Sequence, residues 1–336
     1  MQQGYGNRGP VIAPGTRRET IRTTIGGATG DRAPDGRRYH CVFVDLYSAN
    51  GQPVAMRGEM VNPQFIEDLA KRRSPIDTMT TSLRRTQLFG DMEKYLRHPL
   101  YDAIFDTERA RFEAMRVSRD IQIPSALLAE INDLAKHSPS AYAQVIISSA
   151  LAGLLLRQCY EDEKLLQEAL LGFLLRDIGL SRVPRGVLTS VTRLKVEEYQ
   201  AYMSHEMSSG VLVARIMGPS LPAWLAFHHH RNSPAERWVP DAPGYDREKL
   251  AKIRSVLQVA DSFVGMISPR SFRVHQFTPR GAVDTLADAA KHGREDVKTV
   301  KLLVGYLRGD YSVDEIRVAE RRTEPGLEGN QYGIAR

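Results

Sequence analysis

Apolar residues recur three and four positions apart through most of the chain beyond Pro139, which is the spacing of one face of an α-helix. Polar positions fill the remainder of each stretch, as in a helix that packs one face against a core. The pattern predicts helices over 140–158, 162–178, 195–217, 221–230, 247–267 and 278–292. The fold class we expect is therefore mainly α, with a C-terminal helical bundle.

The first part of the chain has a different pattern. YHCVFVDLY at 39–47 alternates and is rich in β-branched residues, NGQ is a turn, and PVAMRGEMV at 53–61 fits a returning strand. Asn62 is a candidate N-cap for the helix that follows, with Pro63 at its first position. We predict a disordered basic tail at 1–38, a small α+β module at 39–75, a helical connector at 76–138, a helical domain at 139–315 and a loose tail at 316–336.

The basic charge of the chain belongs largely to its first forty residues. The net charge is +6 and the pI is about 9.3, but much of the excess is arginine within that segment. No nucleic-acid-binding module accompanies these arginines, so the pattern favours a solvated segment over nucleic-acid binding.

Cysteine usage and hydropathy indicate the compartment. Cys41 and Cys159 are the only cysteines, too few for a disulfide framework or a thiolate zinc site, which favours a reducing compartment. The first fifteen residues contain no apolar stretch of signal-peptide length. The longest apolar run, at 145–156, is shorter than the roughly 18–20 residues of a membrane span. We therefore expect a cytoplasmic protein without a membrane span.

Two aspartates interrupt the apolar stripes of the C-terminal helices. Asp177 follows Leu170 and Leu174 at helical spacing, and Asp261 lies on the same face as Leu257 and Val264. Burying an ionised carboxylate is costly unless a cation or several donors meet it. The two positions therefore predict a shared polar centre in the bundle.

Histidines on two further predicted helices supply imidazole to the same region. His205 lies in YMSHEMSSG, and His228, His229 and His230 are consecutive. Each histidine alone is more typical of a capping or solvated residue. Together with the aspartates, however, they form a nitrogen and oxygen set that suits Zn, Fe, Mn or Ni.

The order and spacing of these motifs resemble the HD-GYP family of cyclic di-GMP phosphodiesterases. RDIGLSRVPRGVLTSVTRLKVEEYQAYMSHEMSSG at 176–210 resembles the family's signature stretch without a gap. FHHHR at 227–231 is similar to its His-His-Glu-Arg, with His230 where Glu is usual, and VADSFVGMISPRSFR at 259–273 is similar to a later motif. The positions of the signature stretch that match are Asp177, Ile178, Gly179, Pro184, Leu188, Leu194, Glu197, Glu198, Met203, His205 and Gly210.

The resemblance implies a helical bundle that holds two or three metal ions, usually iron or manganese. It assigns the bridging carboxylate to Asp177 and the imidazoles of one metal to His205, His228 and His229. The other metal depends on a histidine where this chain has Arg176, on the aspartate matching Asp261, and on a first-helix histidine. That last position falls in AYAQVII at 141–147, which has no His or Glu.

Further departures point to a changed site. Leu180 stands where the family has a lysine near the substrate phosphate, and no Gly-Tyr-Pro loop is recoverable between His229 and Asp261. Arg176 cannot ligate a metal, because a guanidinium stays protonated and has no lone pair to offer. We hypothesise that Arg176 is an internal counter-ion for Asp177 and Asp261. The alternative is that its side chain extends to solvent.

These departures predict a degenerate, catalytically inactive HD-GYP protein that is a regulatory or scaffold component of a bacterial signalling or envelope-associated assembly. It would bind a protein partner, and a homodimer is compatible with the sequence. Arg270 and Arg273 match family positions that contact the phosphates of cyclic di-GMP, although both also suit surface charge at a helix end. One alternative is a phosphodiesterase with a single Fe, Mn or Zn ion at Asp177, His205, His228 and His229. Another is an HDOD-like signalling domain.

Overall fold

The computed structural model of this chain describes residues 40–42, 44–192, 194–230, 241–269 and 276–309. Several predictions lie outside these residues: the disordered tail at 1–38, the loose tail at 316–336 and the two phosphate-contacting candidates, Arg270 and Arg273.

Short antiparallel strands occupy the N-terminal part of the described chain. Two pairs form around the predicted turn, with His40 opposite Val61 and Leu46 opposite Ala55, and a third pair places Thr81 opposite Ile123. The strands are β1 (His40–Cys41), β2 (Leu46–Tyr47), β3 (Pro53–Ala55), β4 (Met60–Val61), β5 (Thr80–Ser82) and β6 (Gln122–Pro124).

Helices form most of the remaining described chain, so the predicted mainly α class is confirmed. They are α1 (Pro63–Lys71), α2 (Gln87–Leu96), α3 (Asp102–Phe105), α4 (Glu108–Arg119), α5 (Ser125–His137), α6 (Pro139–Arg157), α7 (Glu163–Leu175), α8 (Arg185–Leu188), α9 (Val196–Met217), α10 (Leu221–His228), α11 (Arg247–Ile267), α12 (Pro279–Lys291) and α13 (Val297–Arg308). A 3₁₀ turn at Ile178–Arg182, the 178–182 turn, follows α7.

Local sequence signals place several of these helix ends. The Asn62 side chain accepts a hydrogen bond of 2.8 Å from the Phe65 amide, and Pro63 is the first residue of α1, so the predicted cap is confirmed. The six helices predicted beyond Pro139 are present as α6, α7, α9, α10, α11 and α12, with ends within a few residues. Helix α13 was not among the predicted elements.

Helix α6 lies at the centre of the bundle. It packs against α7 and α11, and against α4 and α5 from the segment predicted to be a connector, so all these helices share one core. Among the described helices, α6 is also long and apolar enough to cross a membrane. However, 72% of its apolar window is buried inside the protein. Its hydropathy is therefore accounted for by its place in the core.

Helices α9 and α10 approach each other closely at Gly210, five residues after His205 and opposite Phe227, which precedes the predicted histidines of α10. A Cβ atom at this position would lie 2.1 Å from a ring carbon of Phe227. Neither the buried ring nor the helix backbone can move aside without disturbing the core. Glycine is therefore required at this crossing.

We expect Gly210→Ala to lower the free energy of unfolding by about 1–3 kcal/mol, because the new methyl group forces the Phe227 ring out of its packed position. Urea denaturation followed by circular dichroism measures this change. Gly90→Ala in α2 is the matched control, since a Cβ there meets nothing within 4 Å. That variant should be neutral or stabilised by up to about 1 kcal/mol, the helix-propensity gain of alanine. Equal effects at the two sites would contradict this interpretation of the crossing.

Candidate metal centre

Arg176 lies between the two aspartates predicted to share a polar centre. It follows α7 directly, and its side chain is 0% exposed. Its Nε atom is 3.0 Å from Oδ2 of Asp177, and its Nη2 atom is 2.5 Å from Oδ1 of Asp261. We call these three residues the arginine bridge. The alternative in which Arg176 extends to solvent is wrong, and the predicted ion pairs with both aspartates are present.

Helices α6 and α7 supply the remaining partners of the guanidinium. Nη2 donates to Oγ of Ser148 at 2.7 Å, while Nη1 donates to Oγ of Ser149 at 3.2 Å and to the Phe173 carbonyl at 2.7 Å. A buried charge is tolerated when it is paired and hydrogen-bonded, as the two Nη atoms of Arg176 are here. The surrounding helices therefore fix both the position and the charge of Arg176.

Gln144 is a member of this site that sequence reasoning missed. Its Nε2 atom donates to Oδ1 of Asp261 at 3.3 Å, from the stretch of α6 where the family resemblance places a histidine. Gln144 and Ser148 are four residues apart and so share one helix face, which was the available signal. In this chain, the Gln144 amide and the following Ser148 and Ser149 hydroxyls occupy the part of α6 where the family resemblance places a metal ligand.

A second cluster lies on the other side of Asp177. It contains His205 from α9, His229 at the end of α10, and His230, whose ligand nitrogens all lie within 4.8 Å of one another. The Nε2 atom of His205 is 3.2 Å from Nε2 of His229 and 2.9 Å from Nε2 of His230. Oδ1 of Asp177 is 3.3 Å from Nε2 of both His205 and His229. We call these four residues the histidine–aspartate centre.

Backbone carbonyls orient two of these imidazoles. Nδ1 of His205 contacts the Tyr202 carbonyl, and Nδ1 of His229 is 2.9 Å from the Ala226 carbonyl. Because a carbonyl oxygen only accepts, each Nδ1 carries the proton and each Nε2 presents a lone pair. Both lone pairs then face the Asp177 carboxylate, so three acceptor atoms converge without a donor between them.

A metal ion fits this donor set. Bonds of 2.0–2.1 Å in a tetrahedral zinc site place ligand atoms about 3.3 Å apart. Four separations in the cluster, those of His205 from the other three residues and of His229 from Asp177, are 2.9–3.3 Å and close to that spacing. Metal-bound histidines also commonly donate their other ring N–H to a carbonyl. The three histidines can therefore hold a metal ion, with Asp177 as an adjacent carboxylate.

The protonation states suit the same role. Burial alone would raise the pKa of Asp177, but the adjacent Arg176 guanidinium holds that pKa well below its usual range. Burial lowers the pKa of His230 well below its usual value. An ionised aspartate and a neutral imidazole are the forms that bind metals.

One predicted ligand is replaced by its neighbour. The family resemblance assigned His228 to the metal, but the structure places His230 in the cluster and His228 outside it. The His228 ring stacks on Trp224, with ring centroids 4.5 Å apart and planes 11° apart, and its Nδ1 atom is 2.8 Å from the Trp224 carbonyl. Residues four apart on a helix lie on the same face, so the Trp224 spacing was the missed signal.

The other predicted positions are placed as follows. Asp177, His205 and His229 come together as predicted, whereas Asp261 belongs to the arginine bridge and pairs with Arg176. Leu180 is buried in the 178–182 turn, where it adds an apolar side chain to the core instead of a cation.

Comparison of this chain with models of known protein families, with curated proteins and with solved structures found no match.

Proposed function

We propose that this chain is a degenerate HD-GYP-like protein without phosphodiesterase activity, and that it is a cytoplasmic regulatory or scaffold component of a bacterial assembly. The observation that carries the proposal is the position of Arg176 between Asp177 and Asp261. The family resemblance places the second metal ion in this position. In this chain the Arg176 guanidinium supplies the positive charge of that metal ion, but a guanidinium cannot activate a water molecule.

Electrostatics oppose a second ion at the arginine bridge. The two carboxylates carry two negative charges, and the buried guanidinium already balances one of them at 2.5–3.0 Å. A divalent cation added beside Asp261 would face that fixed positive charge in a site with little water to screen it. Two-metal hydrolysis uses one ion to activate water and both to stabilise the phosphoryl charge. In this proposal the chain therefore lacks one of the two metal ions that such hydrolysis requires.

The ligand set of the histidine–aspartate centre differs from the one that the family resemblance implies. His205, His229 and His230 provide three nitrogen ligands, and the Asp177 carboxylate lies beside two of them. His230 stands where the family's motif has Glu. Of the Fe, Mn and Zn that the sequence allows, this set favours Zn. A bound ion would supply cross-linking of α9, the end of α10 and the start of the 178–182 turn.

The chain's own residues act on this centre as supports. The Tyr202 and Ala226 carbonyls fix two imidazole orientations, and Arg176 keeps Asp177 ionised. The role that follows is to hold a helical framework together and present its surface to a protein partner.

Incubation of the protein with cyclic di-GMP tests this function. We expect no linear dinucleotide and no GMP with Mn, Fe or Zn present, under conditions in which an active HD-GYP phosphodiesterase converts its substrate. Chromatography of the nucleotides provides the measurement. Metal-dependent product formation that is lost in Asp177→Asn would overturn the proposal in favour of a one-metal phosphodiesterase.

A further inference from the structure

Glu130 is a buried carboxylate far from the metal centre. It lies on α5 with 3% of its surface exposed, and its two oxygens have different partners. Oε1 accepts from the Ala49 amide at 2.7 Å, and Oε2 accepts from Nη2 of Arg182 at 2.5 Å. Burial raises the pKa of Glu130, while Arg182 and the Ala49 amide oppose that shift. Burying a carboxylate costs free energy unless its hydrogen-bond partners stay in place. Glu130 therefore holds the Ala49 amide and Arg182 in one arrangement.

Arg182 also contacts the N-terminal hairpin formed by β2 and β3. Its Nη2 atom donates to the Tyr47 carbonyl at 2.8 Å, next to the hairpin turn at Ser48–Gly51. Glu130 and Arg182 therefore bond to the same short stretch of hairpin backbone from two sides. A small cavity lined in part by Ser48, Asn50 and Glu130 adjoins this contact.

The 178–182 turn connects Arg182 to the histidine–aspartate centre. Asp177 precedes the turn and Arg182 ends it, while the residues between them are buried or nearly so. The Gly179 amide donates to Oγ of Ser209 at 2.9 Å, and a Cβ on Gly179 would lie 2.4 Å from the His205 carbonyl. The turn is thus packed directly on the backbone that carries a ligand histidine. It can move little without displacing Asp177 or His205.

We propose that the Glu130–Arg182 pair couples the N-terminal hairpin to the metal centre, so that a change in the hairpin alters metal affinity. Glu130 and Arg182 are positioning residues in this proposal, which rests on the metal centre of the proposed function. Coupling between two sites is reciprocal, so metal binding must also stabilise the hairpin. The N-terminal module then becomes the regulatory input of the protein.

Hydrogen exchange of the unmodified full chain tests the reciprocal effect. Adding Zn²⁺ should slow amide exchange at 46–55 as well as around His205, while the exposed end of α12 at Lys291 stays unchanged. Protection around His205 without any change at 46–55 would overturn the coupling and leave the metal centre intact. Absence of any Zn²⁺-dependent protection would overturn both.

Substitutions of Arg182 and Glu130 test the same coupling through their effect on metal affinity. Arg182→Ala and the milder Glu130→Gln should each weaken Co²⁺ binding about tenfold, the lower end of what changes around metal ligands cost. Arg185→Ala is the matched control, because Arg185 is exposed and its side chain donates to the Lys136 carbonyl, outside the Glu130–Arg182 contact. Its affinity should equal that of the wild type. Equal affinity in all four proteins would overturn the coupling, and Co²⁺ binding by none of them would overturn the metal centre as well.

Discussion

Replacing Arg176 with methionine should lower the free energy of unfolding by about 3–5 kcal/mol, which is the usual cost of removing one partner from a buried ion pair. Methionine preserves much of the apolar stem but leaves Asp177 and Asp261 without their shared cation. It also leaves the Ser148 and Ser149 hydroxyls without the donor that they accept from. Urea denaturation of both proteins, prepared without metal, measures the difference.

Two comparisons show whether the loss arises from the buried charge. Arg185→Met changes an exposed arginine and should alter stability by no more than about 0.5 kcal/mol. Asp261→Asn in the Arg176→Met background should recover part of the loss, because the uncompensated carboxylate is then removed. A loss at Arg176 under about 1 kcal/mol, or strict additivity of the two substitutions, would contradict the counter-ion role.

Removal of His205 should have the largest effect on metal binding. His205 contacts Asp177, His229 and His230, so His205→Ala removes the central nitrogen of the cluster. We expect affinity for Co²⁺ to fall by more than about 100-fold, because changes to outer-shell partners alone cost 10- to 100-fold. The visible absorption of bound Co²⁺ reports this loss.

Adjacent histidines provide the control for that measurement. His228→Phe keeps a ring stacked on Trp224 and should leave Co²⁺ affinity unchanged, while His230→Ala should weaken it. The reverse result, loss in His228→Phe and no change in His230→Ala, would restore the ligand set that the family resemblance assigns. This pair therefore tests the correction that the structure makes to the sequence prediction.

Helix positions in this chain could be predicted because apolar periodicity is a local property. Helices of 8–22 residues such as α9, α10 and α11 appear close to their predicted bounds, since each carries a buried stripe and ends at a polar or glycine-containing turn. Strands of two or three residues carry much less pattern, and β5 and β6 were missed within the segment predicted to be helical. Their pairing joins residues about forty positions apart, which local spacing does not reveal.

Some features of the candidate site could also be predicted from the sequence, and others could not. The chemistry of Arg176 could be inferred from its residue type, because a guanidinium cannot ligate a metal and two aspartates lay on apolar stripes. The choice between His228 and His230 depends on how the chain leaves α10, which the sequence does not specify. The contact between Glu130 and Arg182 joins residues 52 positions apart and follows only from packing of α5 on the 178–182 turn.

Metal stoichiometry is the most direct test of whether Arg176 has replaced one ion while the histidine–aspartate centre keeps another. The full chain would be loaded with excess Zn²⁺ or Mn²⁺, desalted, and assayed for metal and protein by mass spectrometry and absorbance. We expect one Zn²⁺ per chain, lost in His205→Ala and retained in His228→Phe. Two tightly bound ions per chain would contradict the replacement by Arg176, and none would contradict the centre itself.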